Sequence, residues 1–406
     1  MKKYLYTSFD IRKLGVVDKD AKNILIISPP YYLFGRSGAD ITRNIVLVLG
    51  DNFKKFPFPD DEQECIDVFN KCLDFVRREC VDCKLYYKPH PTSLDNDAGI
   101  YDLRSFEILK DRTAAEIFFY ENFNQIKHVF SPCSLASLSA YGLGLNSHVF
   151  FRLLKTSWGE LGRAYFKSYL EGMPESYFIS DLDQPLKENK KLLEKDVFFE
   201  NHLAKQLDEN PGTVWFTIVD PACLQSVLVI SKLIKKLSPN RKVGLLIMRH
   251  ERWNSINMDR IMKHFDNFSF FPKVSYALKL TNLLNAFKTT VAVKRFKIKP
   301  GDIICGMDMG SFLENCFISY FKKNLSIQIT TDQLFNFTHH FEAPPDLSDF
   351  NVKWTTLFLN YIFVSVLGLH GSIRLYRPSR KNGGQFTRYR EAINKVFDVV
   401  YIFKHT

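Results

Sequence analysis

Two short runs in this chain stop in the same way. Leu85-Tyr86-Tyr87-Lys88-Pro89-His90-Pro91 and, about forty residues later, His128-Val129-Phe130-Ser131-Pro132-Cys133-Ser134 are β-forming stretches that end abruptly at a polar group beside a proline. Apolar strands of this kind, alternating with amphipathic segments, restrict the chain to an α/β fold with parallel pairing. Ligands of such folds collect at the carboxyl ends of the strands. A Lys and a His just past one strand end, with hydroxyls past the next, are suited to clamp a phosphate. The same residues also suit a Pro-bounded turn followed by a Ser-rich helix cap, and the sequence leaves that reading open.

The alternation is sustained along the chain. Residues 23–28 form an apolar run closed by Pro29-Pro30, and Ile45–Leu49 form a second that ends in Gly50-Asp51. Between 61 and 80, Cys65, Val68, Phe69, Cys72, Leu73 and Val76 have helical spacing and lead into the strand Leu85–Lys88. A helix over Thr113–Phe123, a strand over Lys127–Phe130, a Ser134-capped helix to Tyr141 and a β run over Ser147–Phe151 follow. Residues 155–210 are richer in charge and read as a helical connector. A second series opens with a strand over Thr213–Asp220, a helix over Cys223–Leu237 and a strand over Lys242–Met248. Farther on, a strand over Asp302–Gly306 runs into Met307-Asp308-Met309-Gly310, and Ser311 is placed to start a helix. Leu325–Ile329 and Val396–Phe403 are the last β runs. Trp354–Leu369 reads as a buried helix, with a membrane-facing or partner-facing patch as the alternative.

The predicted organisation is therefore two Rossmann-like α/β domains, 1–154 and 211–406, joined by the connector 155–210. A chain of 406 residues exceeds one ordinary core, which supports the division. Lys and Arg outnumber Asp and Glu by 55 to 44, so the surface should attract phosphates, anionic polymer or an anionic leaflet. Nucleic acid is not expected, because the charge is spread and no zinc-finger spacing, Arg-rich arm or RNP-like strand is present. Eight cysteines are scattered, several inside apolar runs where a reduced thiol acts as a small hydrophobe. Cys80 and Cys83 have C-x-x-C spacing without a second pair, which argues against zinc. The N-terminus lacks an apolar signal-like core, and no run has the length and apolarity of a membrane span. A cytoplasmic location is expected, either soluble or on the inner face of the cytoplasmic membrane. No P-loop, G-x-G-x-x-G, G-x-S-x-G or H-E-x-x-H occurs.

With these segments in view, the chain resembles the GT-B glycosyltransferases that use CMP-activated 2-keto sugar acids, meaning the bacterial sialyltransferase-like families and the related Kdo transferases. In those families a Lys-Pro-His-Pro or His-Pro segment and a later Ser/Thr-rich strand end belong to the CMP-holding domain. Lys88–Pro91 and Ser131–Ser134 match that pattern. The second half is similar to their acceptor domain, where Asp308-Met309-Gly310-Ser311 keeps the first part of an expected acidic pair with Gly. The domain order is reversed relative to those families, as in a circular permutation, which termini lying close together at a surface permit. The resemblance covers layout over 22–150 and 213–403, and detail only in the two short segments.

It implies two Rossmann-like domains facing a cleft. It further implies transfer of sialic acid, another nonulosonate or Kdo from CMP to an oligosaccharide or lipid-linked glycan, with peripheral contact to an anionic membrane. No metal or other cofactor is implied, because protein cations and helix termini offset the phosphate charge.

On this reading His90 donates a charge-assisted hydrogen bond to the departing CMP phosphate, and Lys88 adds electrostatic attraction. Ser131 and Ser134 bind phosphate oxygens with the amides of the helix that starts there, and Glu116 accepts from the ribose hydroxyls. Asp308 or Asp220, each just past a strand of the second half, removes the acceptor proton as C2 becomes cation-like. Ser28 and Asp51 line the cleft. Each residue has an ordinary counterpart as a turn histidine, a solvated lysine, an N-cap or a plain helix-face carboxylate. Two other functions stay open: a transferase using another nucleotide donor or a polyol-phosphate donor, and a non-enzymatic binder of anionic polysaccharide or nucleic acid.

Overall fold

Each apolar run read as a strand is a strand in the structure, and its neighbours in the sheet run parallel to it. The structure, a computed structural model, describes residues 22–33, 43–51, 62–90, 97–110, 115–154, 170, 172–189, 191, 193–249, 253, 258–274, 279–307, 311–331, 358–359, 361–369, 374–376, 388–389 and 396–403. The chain divides into one unit of Pro30–Lys195 and another of Met1–Pro29 with Asp196–His405.

After β1 (Ile24–Ile27), the smaller unit is built from β2 (Ile45–Leu49), α1 (Glu62–Glu79), β3 (Lys84–Lys88), α2 (Asp97–Ile100), β4 (Glu107–Ile108), α3 (Ala115–Asn122), β5 (Ile126–Ser131), α4 (Leu135–Gly142) and β6 (Asn146–Val149). Strands β2 to β6 form a parallel sheet of order β4-β3-β2-β5-β6. Helix α1 exists because Cys65, Phe69, Cys72, Leu73 and Val76 share one face, with Glu62 and Glu64 at its amino end and Arg77 and Arg78 at its carboxyl end to offset the dipole. That face packs with Val46, Val48 and Tyr87 of the sheet, and each large buried side chain contributes about 1.5–3 kcal/mol.

The larger unit adds α5 (Val197–Glu209), β7 (Val214–Ile218), α6 (Leu224–Leu237), β8 (Val243–Met248), α7 (Met258–Met262), β9 (Asn267–Phe271), α8 (Leu280–Arg295), β10 (Ile303–Gly306), α9 (Phe312–Tyr320), β11 (Leu325–Thr331), β12 (Arg374–Tyr376), β13 (Arg388–Tyr389) and β14 (Val399–Phe403). Its parallel sheet has the order β1-β14-β11-β10-β7-β8-β9, while β12 and β13 are a separate antiparallel pair. Asp302 ties two strand beginnings together: its carboxylate accepts the Thr213 amide at 2.7 Å, the Lys299 amide at 2.9 Å and the Trp215 indole at 3.2 Å. A Cβ at Gly212 would lie 2.3 Å from Asp302 Oδ1, so the bare glycine backbone is what lets this anchor close.

Five segments differ from the sequence reading. In sequence, residues 24–27 group with the strands that follow them, but β1 pairs with β14, Ile26 opposite Ile402. All five residues of β14 are buried, so this strand needs a neighbour on each side, and a short apolar run carries no mark of which sheet it will complete. Residues 181–189 of the expected helical connector contain no helix. Instead Asn189 docks on β6, accepting the Ser147 amide at 3.0 Å while its own amide donates to Asn146 Oδ1 at 3.1 Å. The charged composition that suggested a helix also suits an extended segment held by such side-chain pairing. In Trp354–Leu369 the described residues bury Leu359, Phe363 and Leu369 but leave Phe358, Tyr361 and Val366 exposed. The pair β9 and α8 had no counterpart in the reading; β9 leaves Phe268 and Phe270 exposed, and α8 exposes several apolar side chains as well.

In the smaller unit His148 of β6 stacks on Phe130 of β5, with ring centroids 5.2 Å apart, and its Nδ1 faces the Ser176 carbonyl at 3.2 Å. Burial, and then the neighbouring His128, push its imidazole pKa down to about 3. The unfolded chain therefore takes up a proton below about pH 6.5 that the folded chain refuses, so stability is lost as pH falls from that value toward 3. Hydrogen exchange across β5 and β6 should show protection falling by an amount on the order of 4 kcal/mol over this window. In His148→Gln the acid dependence should flatten; an unchanged acid limb would remove His148 as its source.

Candidate functional site

The smaller sheet reverses direction at β2. From β2 the chain moves through α1 to β3 and β4 on one side, then returns through α3 to β5 and β6 on the other. At such a reversal the connections leave in opposite directions and open a crevice between the two central strand ends. Leu49 is level with Lys88 of β3, and Val48 is level with Phe130 of β5. Gly50-Asp51, Lys88 and Ser131 therefore sit side by side on one edge of three adjacent strands. Helices that follow strands begin at this edge, which also places Ser134 and Glu116 there.

Lys88 is the last residue of β3 and is only 5% exposed, a charge taken out of water at a strand end. Its backbone carbonyl accepts the Gly50 amide at 2.9 Å. His90, two residues farther on, is half-buried. Asp51 is buried, and its carboxylate reinforces the effect of burial in pushing the Cys133 thiol well up. Glu116 is half-buried in the first turn of α3.

The two serines have different parts. Ser131 is fully buried, and its Oγ accepts the Ser134 amide at 3.1 Å, so it shapes the turn. Ser134 is half-buried and caps α4, accepting the Ala136 amide at 3.2 Å. A hydroxyl that accepts from an amide still has its own proton to give, so the Ser134 cap and a contact to an anion are compatible. Behind it, the Tyr177 hydroxyl meets Ser137 Oγ at 2.6 Å, Ser137 Oγ donates to the Ser134 carbonyl at 2.6 Å, and Ser147 Oγ donates to the Ser137 carbonyl at 2.7 Å. This chain of bonds fixes the amino end of α4 against β6.

Four residues at this edge escaped the sequence reading or were undervalued in it: Gly50, Tyr87, Asp97 and Tyr101. The Tyr87 hydroxyl donates to Asp97 Oδ2 at 2.8 Å, and the Tyr101 hydroxyl donates to the Asp51 carbonyl at 3.1 Å. Burial and the Asp97 carboxylate both hold these phenols in their neutral form. The pair crosses directly over Gly50, where an added Cβ would stand 2.1 Å from the Tyr87 hydroxyl oxygen. The only signal in sequence was the Gly after an apolar strand; nothing local announces Asp97.

In the larger unit the order reverses between β7 and β10. Asp220 is half-buried just past β7, and its carbonyl accepts the Cys223 amide at 3.0 Å. Cys223 Sγ reaches the Met307 carbonyl past β10 at 3.7 Å, linking the two strand ends. Asp308 lies outside the described residues. Glu314, which the reading passed over, is fully buried on α9, and its amide donates to Ser311 Oγ at 3.2 Å in a Ser-x-x-Glu cap. Its carboxylate lies so close to Gly306 that a Cβ there would meet Glu314 Oε1 at 2.0 Å. Ser28 falls in this unit, because β1 pairs with β14; its amide donates to Asp196 Oδ2 at 2.9 Å. Among the described residues no group of three or more His, Cys, Asp or Glu could hold a metal ion.

No protein-family model matches the chain, and no curated protein matches it. Among solved structures the chain is similar to an uncharacterized protein from Actinobacillus succinogenes, with 10% identity over 71% of this chain and 80% of that one, at a TM-score of 0.21. It is also similar to the ADP-heptose lps heptosyltransferase II of E. coli, with 11% identity over 70% of this chain and 84% of that one, at a TM-score of 0.18. Likenesses at this level carry no weight for fold or chemistry, and the geometry above stands by itself.

Gly50→Ala should destabilise the smaller unit by about 2–4 kcal/mol, because the methyl must displace Tyr87 and break its bond to the buried Asp97. Chemical denaturation followed at this unit would measure it. In a Tyr87→Phe background the same change should cost less, since the nearest clashing atom is gone; equal costs in both backgrounds would rule out this contact.

Proposed function

We propose that the chain is a glycosyltransferase that takes its sugar from a nucleotide donor, and that the donor is a CMP-activated 2-keto sugar acid. One observation carries the reading: Lys88, Gly50-Asp51 and the Ser131–Ser134 turn occupy three adjacent strand ends where the sheet order reverses. A buried ammonium, a hydroxyl and the start of a helix are what a phosphate leaving group requires. His90, next to this edge, supplies a donor hydrogen bond as negative charge grows on the departing CMP. Glu116 takes the ribose hydroxyls. An acidic residue of the larger unit, Asp220 or Asp308, accepts the proton of the attacking hydroxyl. The acceptor is a surface oligosaccharide or lipid-linked glycan.

Calorimetric titration of CMP, UDP, ADP and GDP into the purified chain tests the donor. CMP should bind tightest, and Lys88→Ala should weaken it roughly ten- to a hundredfold, the range of a hydrogen bond to a charged group. His90→Ala should slow transfer from a CMP-sugar more than it weakens CMP binding. Preference for UDP or ADP would replace the CMP assignment and keep sugar transfer from another nucleotide donor. Binding of no nucleotide, with retention on anionic polysaccharide, would sink both.

A further inference from the structure

We propose that the apolar surface of the larger unit carried by α8 and by residues 358–359 and 361–366 is a docking surface for an anionic lipid bilayer. Six of the eleven large apolar side chains left exposed among the described residues lie here: Leu280, Leu284, Phe287, Phe358, Tyr361 and Val366. That concentration is what separates them from the scattered exposed apolar residues of any surface. Leu280, Leu284 and Phe287 recur at i, i+4 and i+7, which at ~100° per residue confines them to an arc of about 60°. The opposite arc of α8, with Asn282, Ala286, Thr289, Thr290 and Val293, is buried.

The two exposed segments both pack on α9. Helix α9 is buried on every side from Phe312 to Ser319. From α8, Lys294 lies over the Tyr320 ring at 4.7 Å, and Phe296, just past its end, packs on Phe317. From the other segment, Phe363 packs on Phe312 at 4.9 Å, and the Tyr320 hydroxyl donates to the Leu367 carbonyl. Helix α9 thus has both segments packed against it, and each of them leaves large apolar side chains exposed.

Charge identifies the occupant. From residue 267 to 301 the sequence has seven Lys and Arg and no Asp or Glu. Around α8, Lys288 and Arg295 border the apolar stripe on one side and Lys294 on the other, all exposed. Apolar side chains that enter the acyl boundary, edged by cations at headgroup level, suit a membrane carrying negative lipid. A second copy of this chain would set like charges against each other. Among the described residues no helix is long and apolar enough to cross a membrane, so the contact is one of lying on the surface. The inference rests on surface composition and is independent of which nucleotide the smaller unit binds.

Sedimentation of the full chain with vesicles tests it. Binding is expected to phosphatidylcholine vesicles containing phosphatidylglycerol, falling with added salt, and not to phosphatidylcholine alone. Leu284→Ser with Phe287→Ser, and separately Lys288→Glu with Arg295→Glu, should each weaken binding roughly tenfold or more. These exposed changes should leave the melting temperature and nucleotide affinity as in the wild type. The proposal is overturned if the wild type does not bind anionic vesicles, binds neutral ones equally, or binds undiminished in both variants. It is also overturned if sedimentation equilibrium shows a dimer that Leu284→Ser with Phe287→Ser dissolves while vesicles are ignored.

Discussion

A parallel strand cannot reach its partner through a hairpin; the chain must cross a face of the sheet and return, so all strands point their carboxyl ends to one edge. In the smaller unit this rule gathers residues far apart in sequence. Asp51, Lys88, Glu116 and Ser134 stand together at one edge because β2 accepts β3 on one side and β5 on the other. The packing beneath that edge is close. Gly50 leaves room for Tyr87 to reach Asp97, and Tyr101 holds the backbone at Asp51. The buried Asp97 carboxylate is thereby held by a neutral phenol, while bonds to the backbone carbonyls of Lys88 and Asp51 fix the strand ends themselves.

The α4 turn shows how one group of serines can serve both structure and chemistry. Ser131 is spent on the turn, since its oxygen accepts the Ser134 amide and it has no exposure. Ser134 caps the helix from a half-buried position. The bonds through Ser137, Tyr177 and Ser147 then remove freedom from the helix start. A preorganised donor costs little reorganisation when an anion arrives, which is why such turns are effective at phosphate sites.

Much of this was legible in sequence, and for a physical reason. Parallel strands buried on both faces have to be apolar throughout, so Ile45–Leu49, Val214–Ile218 and Val243–Met248 declare themselves. Residues that follow such strands are marked as edge residues, which is how Lys88 and Asp220 were found. Pairing was not legible. Ile24–Ile27 carries no sign that β14, far along the chain, will be its partner, and Ser28 moves with it into the larger unit. Asp97 was missed because its importance comes from the space above Gly50, which exists only after β2 and β3 have paired. Helix α8 was missed because its exposed apolar stripe blurs the polar-out, apolar-in pattern by which helices are recognised.

The central claim is that a nucleotide phosphate sits at the edge where β2 meets β3 and β5. A crystal structure of the chain with CMP tests it most directly. The phosphate oxygens should lie within hydrogen-bond distance of the Ser134 hydroxyl or the amides at the start of α4, with the Lys88 ammonium or the His90 ring as a further contact. A nucleotide bound instead at the carboxyl ends of β7 and β10 would contradict the claim, and would assign the donor to the larger unit.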